Sequence, residues 1–427
     1  MASKVIPIQP MQIPGTDIHF APGMKAGNWV FLTGIEAADY GVGMHPIVAG
    51  NVDFPNHGLP KNRREGDFIC ARFKELLGEA GTSFANTVRL DQYCPTWKAV
   101  DPYHLARHAA FGAYIPPRTS VIMESLLVPS CDISASLLAV MPGGGRDPKR
   151  VATPTVTSPV WSGFVPAVTA GDFVFVAGQM ARGADGNPDP RAHVASHSRW
   201  GGYEIRRQTE YLIREKFVPA LSAAGSSLGN ALKAQVYLRN IEDTPHFLDV
   251  WNSHFGARQC ALSIIPTKDF GLVPGIIEIN LIALIDSAKT KKQVIDGCIP
   301  AAMTYGAAAV RAADLLLCSA MMAVEAAGPI DAIRKGQGVP YFGSGARAQM
   351  AHIARALKTV CEAGGTTIEN TVRIHEFHTD LADFYPMSRA WQEPFAGAPI
   401  PFTAVQVPGP LPVPACTVMV DPWVYAG

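Results

Sequence analysis

One phrase recurs three times along this chain, and the recurrence limits its folding options more than any other feature. AGNWVFLTGIE occupies 26–36, AGDFVFVAGQM occupies 170–180 and a drifted AADLLLCSAMM occupies 312–322. Gly27 and Gly171 are 144 residues apart, and Gly171 and Ala313 are 142 apart. A second anchor follows each copy: LLGEAGTSFANTVRL at 76–90, LSAAGSSLGNALKAQ at 221–235 and VCEAGGTTIENTVRI at 360–374. A third closes each stretch, as PPRTSVIMESLLVP, GARQCALSIIP and PIPFTAVQVPGPLP. Three anchors keeping one order at one period read as a tandem repeat, which has to be found before local elements are assigned.

Each repeat can then be read locally. VFLTG and VFVAG are short, β-branched and aromatic, so they predict strands. FICARFKELLGEAG and YLIREKFVPALSAAG place apolar residues at helical spacing and stop at Gly, which takes the left-handed terminal position most easily. NTVRLDQYC, ALKAQVYL and NTVRIHEFH alternate as strands, and a second helix such as DTPHFLDVWNSHFG has Pro near its start and Gly at its end. Two strands close each repeat, the last being ISASLLAV, IIEINLIALI and ACTVMVDPW. The expected order is β-α-β-α-β-β, an α+β unit with helices on one sheet face. MPGGGRDPKRVATPTVTSP (141–159) and SAKTKKQVIDG (287–297) lack apolar periodicity and read as linkers. Units are expected at 1–145, 146–290 and 291–427.

Formal net charge is zero, from 36 basic and 36 acidic residues. That balance speaks against an electrostatically driven nucleic-acid or anionic-membrane binder. No run of about 18 apolar residues occurs, and MASKVIPIQP lacks the apolar core of a signal peptide. The eight cysteines are scattered with no CxxC pair, which favours reduced thiols over disulfides or thiolate metal sites. A cytoplasmic protein with no cofactor, no metal and no membrane or nucleic-acid partner is the expectation.

The anchors resemble the RidA/YjgF family of small imine and enamine deaminases. The second unit carries the likeness best, in AGDFVFVAGQM, AAGSSLGNALKAQVYL, GARQCALSIIP and IIEINLIALI; the first matches well and the third weakly. The resemblance implies a chorismate-mutase-like fold, in which homotrimers pack three sheets into a barrel-like core, with helices outside and clefts between subunits. Three fused copies then imply a single-chain pseudo-trimer, with further homo-oligomerisation left open. One unit alone leaves a sheet face bare, and fusion removes the entropic cost of bringing its neighbours to it.

The resemblance also implies where chemistry sits. The family's arginine clamps a substrate carboxylate, a task for which a planar guanidinium fork is suited. It falls on Arg118 in PPRTS and Arg258 in ARQC, whereas the third unit has Phe402. The family's glutamate, which polarises the attacking water, falls on Glu278 in IIEINL. The first unit has Ser134 there with Asp132 nearby, and the third has Cys416 or Thr417. A strand carboxylate facing the interior is costly unless paired, so Glu278 reads as a site residue or, alternatively, as an edge residue facing solvent. Cys260 matches the cysteine beside the family arginine, and is a catalytic candidate or a small buried hydrophobe. The substrate-lining serine corresponds to Thr33, Ala177 and Ser319. The family aromatic corresponds to Phe20 and Phe164, with Tyr305 one position off, and the second-helix asparagine to His104, Leu248 and Ser388. His104 is a candidate general acid or base, because imidazole titrates near neutrality; the alternative is an ordinary helix histidine. No unit keeps the whole polar set, but because the implied clefts lie between units a complete site could still assemble from two, and the sequence does not say which edges meet.

HEFH (375–378) and the loop histidines His193 and His197 invite a metal reading. On a strand, however, His375 and His378 point to opposite faces, and neither motif has a third ligand at recognisable spacing. The segments 37–66 and 181–206 are long and carry aromatic and basic residues. These are Tyr40, Phe54, His57 and Arg63–Arg64 in one, and His193, His197, Trp200, Arg206 and Arg207 in the other. They read as lids, interface arms or variable surface loops. The expected function is hydrolysis of a small carboxylated imine, enamine or amide-like metabolite. Arg118 or Arg258 would hold the carboxylate, and Glu278 or His104 would activate water. The alternatives are a non-catalytic small-molecule binder or scaffold, and a chorismatase-like hydrolase on a similar fold. Ribonuclease activity, claimed for some members of the family, fits poorly with zero net charge.

Overall fold

A tight turn at positive φ opens each third of the chain. In the computed structural model, Gly23–Ala26 pairs with Trp29–Glu36, Ala167–Ala170 with Phe173–Gln179, and Ala309–Ala312 with Leu315–Cys318, all as antiparallel hairpins. The structure describes every residue except 1–4, 52, 55–57, 160, 196, 198–201, 337–344 and 396, and the side chains of 334–336. Gly27 and Gly171 turn at φ 55° and 59°, where a glycine meets no steric penalty, whereas the third turn holds Ala313 at φ 49°. The left-handed region costs an L-residue about 1–2 kcal/mol, partly offset by the freedom glycine regains on unfolding. Ala313→Gly is therefore expected to stabilise the protein by about 0.5–1 kcal/mol, read as a higher denaturant midpoint at unchanged slope.

Each hairpin belongs to a large mixed sheet. With each sheet's strands numbered in chain order, the spatial order is 1-2-3-6-4-5 in all three. Strands four and five run parallel, with Leu90 beside Arg118, Lys233 beside Ala261 and Ile374 beside Phe402. The third sheet gains a seventh strand, Ser125–Leu126, which pairs with Phe402–Gln406. The β-α-β-α-β-β expectation omits the two short strands that start each sheet. Lys149–Arg150 and Gln293–Ile295 even lie within the segments read as linkers. At two and three residues they are too short to show alternation, and only the neighbouring hairpin edge holds them.

Helices cover one face. Lys61–Ala80 buries Ile69, Phe73, Leu76, Leu77 and Ala80 at helical spacing and ends at Gly81, φ 85°, whose N–H returns to the Leu77 and Gly78 carbonyls. In the second third, Glu204–Tyr211 continues through a π-helical turn, Leu212–Phe217, into Val218–Ala223. Pro219 lacks an N–H to donate back along the helix, and the wider turn accommodates that gap. No helix among the described residues is long and apolar enough to cross a membrane.

The opposite sheet faces share one interior. Trp29, Phe31, Phe173, Phe175, Leu317 and Trp423, drawn from all three sheets, form a single cluster. Beside it lies a buried polar layer built from the fourth strands and, at Asp421, from the sixth strand of the third sheet. Arg89 grips Asp91 through Nε and Nη2, Arg373 reaches the same carboxylate at 3.0 Å, and Lys233 pairs with Asp421 at 2.8 Å. The Tyr93 hydroxyl meets Tyr237 at 3.0 Å and His375 Nδ1 at 2.9 Å. His375 thus belongs to this layer. His378, on the other strand face, meets Glu376 at 3.1 Å and the Phe384 ring at 6.1 Å. Among the described residues no three His, Cys, Asp or Glu side chains come together to hold a metal.

Sheet edges meet in a closed cycle. Lys268 of the second sheet's region donates its N–H to Ile122 O at the fifth strand of the first sheet, at 2.8 Å. Leu262, in the second sheet's fifth strand, donates its N–H to Ser319 Oγ beside the third sheet's hairpin, at 2.8 Å. Gly34 of the first hairpin donates its N–H to Thr403 Oγ1 in the third sheet's fifth strand, also at 2.8 Å.

Candidate functional site

The first of these borders opens into a cleft of about 460 Å³. Arg118 enters it from the start of the strand Arg118–Ile122, where Pro116 and Pro117 hold the approach extended. Its Nη2 donates to Ser162 Oγ at 2.7 Å, its guanidinium carbon lies 4.8 Å from the Phe164 ring centre, and its Nε is buried without a partner. Burial lowers its pKa to about 10 against the support of Glu278, so the group stays cationic at neutral pH. Arg182 and Lys216 also line the cleft; Arg182 is anchored by donating to the Gly271 carbonyl.

Glu278 approaches from the second sheet, in the strand Ile277–Leu284, where it lies opposite Tyr237. It is 5% exposed. Burial raises its pKa to about 7, while Arg118, Arg182 and a hydrogen bond from the Ser120 N–H hold it down. A carboxyl at that balance can both accept and release a proton near neutrality. Gly178 makes its place: a Cβ there would lie 2.0 Å from Glu278 Oε1 and 3.0 Å from Thr119 Oγ1. Gly178→Ala is expected to displace the carboxylate and lower turnover by about 10²-fold, with the unfolding midpoint measured in parallel to show that the fold survives.

His104 lines the same cleft from the helix Val100–Phe111, but not as a group titrating near neutrality. Burial, then Arg118 and Arg107, push its pKa far down, and its Nε2 is buried without a partner. It is a neutral ring, which corrects its reading as a near-neutral acid or base. Arg107, fully buried beneath it, donates to the Ser162 carbonyl at 2.7 Å. Trp97 and Trp161 stand at the rim, Trp161 being 89% exposed.

The other expected site residues lie elsewhere. Arg258 holds Asp296 through Nε and Nη2 at 2.6 and 2.7 Å and the Thr304 carbonyl through Nη1 at 3.1 Å. That ion pair occupies the fork which was to hold a carboxylate. Cys260 is buried, its thiol pushed up to about 12, and it behaves as a small apolar side chain rather than a nucleophile. Ser319 is fully buried and bridges strands, donating to the Ala307 carbonyl while accepting from Leu262. Thr33 and Ser388 are buried away from this cleft with unpartnered hydroxyls, and Phe20 lines the cleft at the third border. The strand Val418–Tyr425 places Met419 opposite Phe377, as Glu278 is opposite Tyr237. Cys416 and Thr417 fall before that strand, so Met419 is the matching position. His57 and Trp200 lie outside the described residues. His193 pairs with Glu204, and Phe54 is exposed.

Ser162, Arg107, Arg182, Gln179 and Lys216 are members of this neighbourhood that sequence reading missed. Ser162 follows a segment read as linker, and Arg182 sits at the start of a loop with no fixed period. Only the 144-residue offset from the first repeat could have flagged Lys216, which corresponds to Arg72.

Residues 156–285 match the family described as Endoribonuclease L-PSP. The L-PSP match contains Phe164, Gly178 and Glu278, whereas Arg118 and His104 lie outside it. Over 90 residues the chain is 31% identical to a RutC family protein of Pyrococcus abyssi; that stretch is 21% of this chain and 61% of the relative. The chain thus spans less than two thirds of the curated relative it matches. It is also similar to the crystal structure of yeast Mmf1, at 24% identity over 33% of this chain and 99% of that one, TM-score 0.27. RidA from an Antarctic Psychrobacter species is similar at 20% identity over 32% and 99%, TM-score 0.27.

Proposed function

We propose that the chain hydrolyses a small carboxylated imine or enamine in the cleft between the first and second sheets. The observation that carries this reading is the convergence there of Arg118 and Glu278 from different thirds of the chain. The substrate carboxylate sits on the Arg118 fork, with Ser162 steadying the guanidinium and Phe164 stacked beneath it. An enamine first takes a proton at carbon from protonated Glu278 and becomes the iminium ion. Ionised Glu278 then draws a proton from water as the water oxygen bonds to the iminium carbon, giving the neutral carbinolamine. Glu278 returns that proton to nitrogen, the C–N bond breaks as the carbinolamine hydroxyl gives its proton back to Glu278, and ammonia leaves with the carbonyl acid formed. Neutral His104 offers one ring nitrogen to hydrogen-bond the substrate or water. We further propose that residues 1–145, 146–290 and 291–427 are three RidA-like units forming a single-chain pseudo-trimer. The shared 1-2-3-6-4-5 strand order and the closed cycle of edges support that reading. Free thiols at all eight cysteines accord with a reducing cytoplasm.

RNA cleavage, named in the family description, has less support, because the balanced charge supplies no basic stripe for a phosphate backbone. The test is to generate 2-aminoacrylate in situ with the full chain present and follow release of pyruvate. Release faster than in buffer is expected. Saturable binding of pyruvate without acceleration of any carboxylated imine would instead make the protein a binder.

A further inference from the structure

The border between the third and first sheets holds a second cleft, of about 400 Å³. Position by position at the 144-residue offset, it holds fewer cations than the first cleft. The strand position beside Leu90 is Arg118, whereas the corresponding position beside Ile374 is Phe402. Arg182 corresponds to Ala38, and Met180 to Glu36. Glu278 corresponds to Ser134, so two cations have become apolar and the carboxylate stands at Glu36 instead of on the closing strand.

Glu36 is 7% exposed and its Oε2 accepts the Val128 N–H at 3.0 Å. Aromatic rings stand around it. Phe20 and Tyr40 meet nearly at right angles, 76°, with centroids 6.0 Å apart, and Phe402 backs Phe20 at 4.7 Å. Phe68 completes the wall and stacks obliquely on His45 at 4.8 Å. The other charged groups lining the cleft are Asp39, Glu75 and Arg72. Arg72 is neutralised by Glu75 at 2.7 Å, which leaves the lining with an acidic excess. Perpendicular aromatic faces beside a buried carboxylate suit an organic cation, because ring quadrupoles and the carboxylate attract the same charge in a desolvated place. Burial, reinforced by Glu65, pushes the Glu36 carboxyl up to about 8, and a cation seated beside it would draw that value down.

We propose that this second cleft binds a small alkyl- or arylammonium ion, its cationic head beside Glu36 and its apolar part against Phe20, Tyr40 and Phe68. The proposal is independent of the chemistry assigned to the first cleft. It is tested by calorimetric titration of the full chain with choline, with benzyltrimethylammonium and with 3,3-dimethylbutan-1-ol, the uncharged isostere of choline. Saturable binding of at least one cation is expected, with choline about tenfold tighter than its isostere. Glu36→Gln should weaken the cation about tenfold and leave the isostere unchanged. Ala38→Arg, which restores the guanidinium found at the other border on a half-exposed position, should abolish cation binding. Both variants are expected to keep imine hydrolysis, so a failure here is distinguishable from a failure of the first cleft. Equal affinity for choline and its isostere, cation binding that survives both variants, or no saturable binding of either cation would overturn the proposal.

Discussion

Arg118→Met is expected to lower kcat/KM for a carboxylated imine by about 10²–10⁴-fold. The estimate follows from the cost of leaving a buried anion without its charge-assisted partner, about 3–5 kcal/mol. Methionine keeps the apolar stem over Phe164, so the loss reports the charged fork rather than packing. The measurement is steady-state kinetics at several substrate concentrations, and an uncharged ester of the same substrate should not distinguish the two proteins. Arg258→Met serves as the control. It breaks the ion pair with Asp296 and is expected to lower stability while leaving kcat/KM within about twofold. A large kinetic effect at Arg258 with none at Arg118 would move the carboxylate site to the second border.

Glu278→Gln should lower kcat by about 10²–10⁴-fold with little change in KM, because the amide keeps the shape but cannot take a proton from water. With a substrate that is already an imine, kcat of the unaltered chain should rise with pH through about 7, following ionisation of Glu278, and the variant's residual rate should lose that limb. Stability should move the other way. The folded-state pKa of Glu278 is raised, so its favourable contribution is fully present below the ordinary carboxylate range and is lost as pH rises through about 7. At pH 8 the variant is therefore expected to be more stable than the parent, by up to about 3 kcal/mol, and the advantage should vanish in mild acid. A variant that is slower yet more stable is what a buried carboxylate held for chemistry predicts. A structural carboxylate would give the opposite sign for stability and no loss of the pH limb.

Much of the fold is legible in the sequence because the turns are chemically specific. Gly27, Gly171, Gly81, Gly225 and Gly365 all occupy positive φ, and such positions leave a mark that survives when neighbouring apolar residues drift. The starting strands are not legible, because two to four residues held by an edge are too few to show a period. The candidate site was legible residue by residue but not as an assembly. Arg118, Glu278, Phe164 and His104 could each be named, yet Arg258 had an equal claim. Its exclusion depends on Asp296, which lies 38 residues further on in a segment that reads as linker. The position matching Glu278 in the last third was misplaced by two or three residues, because a proline-rich approach delays the strand to Val418. The state of His104 was hidden as well, since burial and two nearby guanidinium groups, not its residue type, keep it neutral.

A small carboxylate is proposed to bind at the border of the first and second sheets. A crystal structure of the full chain with pyruvate bound tests this most directly. The carboxylate is expected on the Arg118 guanidinium, with its carbonyl carbon facing Glu278. A carboxylate bound at Arg258 instead, or an Arg118 cleft left empty at saturating pyruvate, would contradict it.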